Sequence, residues 1–263
     1  MYDWTVEELE AAWELLDDGQ PDDVLSHLAE LEAQGRRHPE AAALACLAWI
    51  DLREPDKAER ALGPQPDDVP ESWRLARAEL FLAQWRPAEA RNVFQELEDE
   101  GPSVQTRLRL ALCEDLLGNV RSAREWTFKA AAIDPDGAGT YPSLDEDEFE
   151  EVVAEAVALL PEEFAARLAD IPVIVDPVPT KPTTAIADVP PDALGLFTGH
   201  SDAEKSESGG VDGVATIHLY KNNLERRARS LRELREEIRV TLFHELGHVL
   251  GFDEDGVDAL GLR

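Results

Sequence analysis

Only two cysteines, Cys46 and Cys113, occur in the 263 residues, and both sit in apolar stretches of helical spacing. That excludes a disulfide framework and a cysteine-ligated zinc cluster, and reads as two small buried hydrophobes in a reducing compartment. Basic residues are scarce: Lys and Arg total 25 against 56 Asp and Glu, for a formal net charge of -31. So acidic a surface excludes nucleic acid and anionic membranes as partners and fits a soluble protein living in high salt or binding basic peptides. No apolar run approaches the ~20 residues that cross a bilayer. The opening stretch, Met1-Tyr2-Asp3-Trp4-Thr5-Val6-Glu7-Glu8, is acidic and reads as the start of a helix, not a signal peptide, so the expected location is cytoplasmic. What is present, 43% hydrophobic residues in a chain of this length, suffices for one large or two small domains.

The first half repeats. Ala45, Ala78 and Ala111 recur at 33 residues; Ala58, Ala90 and Ala123 recur at 32 and 33; Pro70, Pro102 and Pro135 each follow the second alanine by twelve. Ala11 and Val24 mark a weaker first copy that starts near Trp4. Each unit reads as two helices whose small residues allow a close crossing, closed by a proline that cannot extend a helix. This pattern resembles the tetratricopeptide repeat. Phe81 and Phe94 fill that family's aromatic positions and Leu62 another, whereas Arg74, Arg107 and Glu114 stand where aromatics are usual. About four divergent repeats are expected over residues 1–137. The resemblance implies a surface for a protein or peptide partner; the plainer expectation is that the repeats only pack and bind nothing.

Residues 138–263 are expected to form a second domain. After a linker at Asp136–Ser143, helices are predicted from Leu144 to about Leu160 and from Pro161 to about Ala169. Ile171–Asp176, Leu194–Gly199 and Val214–Tyr220 read as strands, the first two separated by the proline-rich connector Pro177–Pro191. His200–Gly210 is polar and Gly/Ser-rich; it reads as a loop with His200 on its surface, and as a flap over the active site in the sharper alternative. Ser230-Leu231-Arg232-Glu233 has the form of a capping box, from which a helix is predicted to Leu250. Arg226, Arg227, Arg229, Arg232, Arg235 and Arg239 make the one basic patch, expected to pair with Glu225, Glu233, Glu236, Glu237 or the acidic repeats.

The end of that predicted helix carries the chemistry: His244-Glu245-Leu246-Gly247-His248, an H-E-x-x-H motif. Residues four apart share a helix face, so His244 and His248 can aim two imidazoles at one point. Glu245 lies one position round, within reach of a water on a metal held there. Two neutral imidazoles and a carboxylate suit zinc, which acidifies a bound water that the neighbouring Glu deprotonates as it attacks a carbonyl. Leu242, Leu246 and Val249 supply an apolar opposite face, and Gly251 can take the left-handed conformation that ends a helix. The bland reading is an amphipathic helix with two chance histidines.

A third ligand downstream has to come from Asp253, Glu254, Asp255 or Asp258, the only carboxylates after His248. In the longer motif H-E-x-x-H-x-x-G-x-x-H the third ligand stands three residues after the Gly, which here is Glu254, with Asp255 next. That motif comes with a Met-containing turn, excluded here because the only methionine is Met1. A peptide substrate needs an edge strand beside the active helix. Val214–Tyr220 is the expected one, with His218 and Tyr220 on one face as candidate oxyanion stabilisers, against the plainer expectation that they pack or face water.

From about Asp145 to Leu262 the chain resembles a family of small bacterial zincin-like metallopeptidases, the minimal zincins. The resemblance is carried by Leu160-Pro161-Glu162-Glu163-Phe164, Leu194-Gly195-Leu196-Phe197, Ile217-His218-Leu219-Tyr220, Leu234-Arg235-Glu236-Glu237 leading into His244-Glu245-x-x-His248-x-x-Gly251, and Leu260-Gly261-Leu262. It implies a compact α+β fold, one zinc ion per chain and a peptidase activity. Members carry Asp where this chain has Glu254. The expectation is therefore an α+β protein overall: an all-α repeat array, then a small zincin-like domain with a short mixed sheet. His244, His248 and Glu254 would hold zinc, Glu245 would act as general base, and a peptide or protein would be the substrate. The alternative is an interaction scaffold with a structural or vestigial zinc site.

Overall fold

A computed structural model describes residues 5–33, 38–134, 141–160, 162–181, 189–199 and 215–252. The chain divides into two compact units, Met1–Trp126 and Thr127–Arg263. Residues 136–140 of the predicted linker, Pro161, the 200–214 stretch with His200, and the candidate ligands Glu254 and Asp255 lie outside the described residues. Among the described residues no helix is long and apolar enough to cross a membrane.

Up to Ala131 every element is helical: α1 (Val6–Asp17), α2 (Pro21–Ala33), α3 (Pro39–Asp51), α4 (Pro55–Leu62), α5 (Glu71–Ala83), α6 (Pro87–Glu100), α7 (Val104–Leu116) and α8 (Val120–Ala131). They alternate as pairs, and the turn inside each pair is the same turn made four times. Gly19, Arg53, Trp85 and Gly118 all have positive φ, at 69°, 60°, 57° and 79°. In each turn the following N–H reaches back to the carbonyl five residues earlier: Gln20 to Leu15, Glu54 to Trp49, Arg86 to Phe81 and Asn119 to Glu114, at 2.8–2.9 Å. This is the Schellman closure, which satisfies carbonyls that the helix end leaves open.

Burial corrects the repeat register by one residue in the first two copies. Ala12 and Cys46 are fully buried, as are Ala78 and Ala111. Each stands twelve residues before Val24, Ala58, Ala90 or Ala123, the buried residue on the second helix of its pair. The small residue at the crossing in α3 is thus Cys46, not Ala45, and in α1 it is Ala12, not Ala11. Burial pushes both thiols, Cys46 and Cys113, up to about 12, so they pack as hydrophobes and stay protonated. Pro70 does a different job from the one expected. It is the N-cap of α5, and Gly63, at φ 64°, already ends α4.

Three apolar clusters follow one another along the array. Val24, Leu28 and Leu44 centre the first, Ala58, Leu62 and Trp73 the second, and Phe81, Phe94 and Leu110 the third. Arg74 and Arg107, at positions where an aromatic was expected, reach instead to the end of α6. Arg74 grips Glu100 through both guanidinium nitrogens at 2.5 and 2.6 Å, and Arg107 Nε donates to Glu98 at 2.8 Å. Arg53 is exposed and holds its left-handed φ without a side-chain role in the turn. A Cβ costs about 1–2 kcal/mol in that conformation, partly offset by the extra freedom a glycine has when unfolded. Arg53→Gly is therefore expected to raise the thermal midpoint by a few degrees; an unchanged or lower midpoint in a melting curve contradicts the strain.

The second unit carries the mixed layer. Helices α9 (Glu146–Ala158) and α10 (Glu162–Leu168) precede strands β1 (Val173–Asp176), β2 (Gly195–Thr198) and β3 (Thr216–Tyr220), then α11 (Lys221–Arg227) and α12 (Leu231–Leu250). Asp145 and Glu148 form the capping box of α9. Helix α11 follows β3 without a turn signal and was not expected. The strand order is β1-β3-β2, with β1 parallel and β2 antiparallel to β3. The expected edge strand is therefore the central one. Among the described residues β3 spends both of its backbone edges on neighbours, and β1 and β2 take the outer places.

Ile217 and Leu219 of β3 point into one core with Phe149 and Val152 of α9 and Leu234, Ile238, Leu242 and Leu246 of α12. At about 1.5–3 kcal/mol for each fully buried aliphatic side chain, that stripe holds α12 on the sheet. The arginines divide their partners. Arg239 pairs with Glu236 at 2.6 Å, Arg229 with Asp134 at 3.5 Å, Arg227 with Glu237 at 3.9 Å, and Arg235 with Glu155 of α9. Glu225 is held instead by Lys221 at 2.8 Å and accepts the Leu144 N–H.

Candidate metal centre

α12 runs from Leu231 to Leu250 as predicted, and its two ends are set by different chemistry. At the start, Ser230 Oγ accepts the Glu233 N–H at 3.2 Å; Glu233 does not return the bond to Ser230 but takes the Arg229 N–H at 2.9 Å, so half of the expected capping box forms. At the end Gly251 adopts φ 91°, ψ 17° and its N–H reaches back to His248 O. Only a glycine enters that region without strain. The turn brings the Phe252 carbonyl beneath His248.

Leu234, Ile238, Leu242, Leu246 and Val249 are fully buried on the inner side of α12. The four-residue step puts His244 and His248 together on another side, both half-buried. Their Nε2 atoms are 3.1 Å apart, with the rings edge to face at 81°. His248 Nδ1 lies 3.2 Å from Phe252 O, which fixes the proton on Nδ1 and leaves the Nε2 lone pair pointing at the shared position. Two ligands at the usual Zn–N length of about 2.0–2.1 Å in tetrahedral array lie roughly 3.3 Å apart. The pair fits a zinc ion within a few tenths of an ångström. Among the described residues no third ligating side chain joins the pair.

Glu245 is buried to 8% exposure, and its Oε2 accepts the Phe197 N–H of β2 at 2.7 Å. Tyr220 N donates to Leu194 O, so the bonded residues of this ladder are Leu194, Leu196 and Thr198 on one strand and Tyr220, His218 and Thr216 on the other. Gly195 and Phe197 therefore turn their backbone groups away from β3, and the outward N–H of Phe197 meets the carboxylate of the H-E-x-x-H glutamate. Gly195 lies directly under α12. A Cβ there would stand 2.6 Å from Thr241 Cγ2, 3.1 Å from His218 O and 3.2 Å from Glu245 Cγ.

His218 and Tyr220 do share one face of β3, the one opposite Ile217 and Leu219. His218 Nδ1 is 2.8 Å from Asp176 Oδ2 on the parallel neighbour β1. Tyr220 is 1% exposed, and its hydroxyl has no hydrogen-bond partner among the described residues. Burial first, then the negative charges of Asp176 and Glu245, push its phenol up to about 12, so it is a donor at any physiological pH. Sequence reasoning missed Asp176, the Phe197 N–H, Gly195 and the Phe252 carbonyl. Asp176 ends a predicted strand and could have been paired with His218 had the parallel register been known; a main-chain donor leaves no mark in a sequence.

Residues 168–262 match the zincin-like metallopeptidase family, so the C-terminal part of the chain is zincin-like, and that family suggests zinc peptidase activity. The match takes in all three strands, α11, α12 and the H-E-x-x-H motif, and leaves out the helical pairs. No curated protein matches the chain.

Proposed function

We propose that the chain is a zinc-dependent peptidase whose helical pairs form a tetratricopeptide-like array that docks a protein or peptide partner. The observation that carries the reading is the convergence of His244 and His248, Nε2 to Nε2 at 3.1 Å, beside a buried Glu245. His244 and His248 would hold the metal with Glu254 as third ligand, Asp255 being the alternative. Bound zinc supplies a Lewis acid that acidifies water and polarises the scissile carbonyl. Glu245 takes the proton of the attacking water on its carboxylate and returns it to the departing amine. His248 keeps its donor nitrogen oriented through the bond to Phe252 O. The phenol of Tyr220, held protonated, is a candidate donor to the developing oxyanion. His218, tied to Asp176, is the second candidate.

The test is metal content. The purified, tag-free protein is expected to contain about one zinc per chain, lost in His244→Ala, with a fall in affinity of two or more orders of magnitude when one of so few ligands is removed. Absence of bound metal after zinc is supplied overturns the peptidase reading and leaves an interaction scaffold. Cleavage is then sought by mass spectrometry in a library of unlabelled peptides, with and without chelator.

A further inference from the structure

The glutamate of an H-E-x-x-H helix has two demands on it. It has to reach water at the metal, and it has to be held still enough to take a proton in the correct direction. Here the second demand is met from outside the helix. Glu245 Oε2 sits on the outward N–H of Phe197 at 2.7 Å, on the edge strand, and the space for that approach exists because residue 195 has no side chain. Gly195 shows no positive φ, so its lack of a Cβ serves the close approach of α12 rather than a backbone bend. Any Cβ would press on Thr241 Cγ2 and on Glu245 Cγ itself.

We infer that Gly195 and the Phe197 N–H are positioning elements for the general base: the glycine lets α12 seat on the edge strand, and the amide fixes the direction of the Glu245 carboxylate. This rests on the peptidase reading above. One consequence concerns substrate. An extended peptide laid along β2 finds the Phe197 N–H already engaged, so it pairs through the outward groups of Gly195 and the Phe197 carbonyl, and its scissile bond is set relative to a base anchored on the same strand.

The experiment follows the Phe197 amide by NMR hydrogen exchange in the full-length, zinc-loaded protein. An outward edge amide without an acceptor exchanges fast, so protection there reports the bond. Protection is expected in the wild type and in Glu245→Gln, whose amide oxygen still accepts, and is expected to fall at least tenfold in Glu245→Ala. Gly195→Ala is expected to lose the protection as well, and to lower kcat on the best-cleaved library peptide by on the order of 10²-fold with KM and zinc content little changed. Removing the obstructing methyl in the double variant Gly195→Ala/Thr241→Ser is expected to restore much of both.

A merely structural glycine would lower the melting temperature and leave kcat per zinc-loaded site alone, which overturns the inference. So does Phe197 exchange that ignores Glu245→Ala. If Gly195→Ala does not fold, the Glu245 pair and the double variant still decide. Failure of the peptidase reading is seen elsewhere, as missing zinc or as turnover indifferent to Glu245→Gln.

Discussion

Glu245→Gln is expected to cut turnover by about 10³-fold, within the range of about 10²–10⁴ that positioned acid–base groups contribute, and to leave zinc binding nearly intact. The substitution preserves volume, and the glutamine oxygen can still accept the Phe197 N–H that now holds Oε2 at 2.7 Å. The backbone clamp and the packing of a residue at 8% exposure are thus kept, while proton uptake at neutral pH is lost. The two effects separate in one pair of measurements, steady-state rates on the best-cleaved peptide and zinc per chain by atomic emission. Loss of metal along with activity would contradict the role given to Glu245. Undiminished turnover would remove it from the mechanism altogether.

Leu242→Ala is the substitution expected to cost most in stability. Leu242 is fully buried, two residues before His244, and packs in one cluster with Ile238, Leu246, Ile217 and Phe149. Truncating a leucine in such a site removes its transfer free energy and leaves a cavity, together about 3–5 kcal/mol. A domain has only about 5–15 kcal/mol in total. Leu231, at the start of the same helix and 44% exposed, is the internal control, and its change to alanine is expected to stay within about 0.5 kcal/mol. Because the proposed metal position is built on the helix that Leu242 anchors, zinc should stabilise the weakened variant by an amount that grows with the logarithm of its concentration over Kd. Chemical denaturation with and without zinc checks both points. Equal costs at Leu242 and Leu231 would mean that α12 is not held by its inner stripe.

Most of α12 is legible in the sequence. Its apolar stripe, the serine before it, the glycine after it and the four-residue histidine step each rest on interactions within a few residues of chain, and the helix spans Leu231–Leu250 as expected. The paired-helix periodicity was legible for the same reason, although spacing alone chose Ala45 where the buried residue is Cys46. Adjacent small residues look alike in a pattern, and only the packing of one helix on another says which one faces inward. Helix α11 was missed because Lys221–Arg227 carries no stripe of its own and is folded against β3 by Leu224, which is fully buried.

Alone, the sequence determined what local physics decides: most of the helices and the three strands, where α12 begins and ends, and that two imidazoles and a carboxylate gather at one turn. The family match on residues 168–262 agrees with that part. Tertiary structure alone decided which strand lies at the edge. Alternation in β3 tells which side chains share a face and says nothing of its neighbours, and it is the parallel return of β1 that moves β3 to the centre and β2 outward. The same step decides what holds the base. The donor to Glu245 is a main-chain N–H, present at every residue except proline, and only the closeness of the Gly195 backbone to α12 selects the one at Phe197.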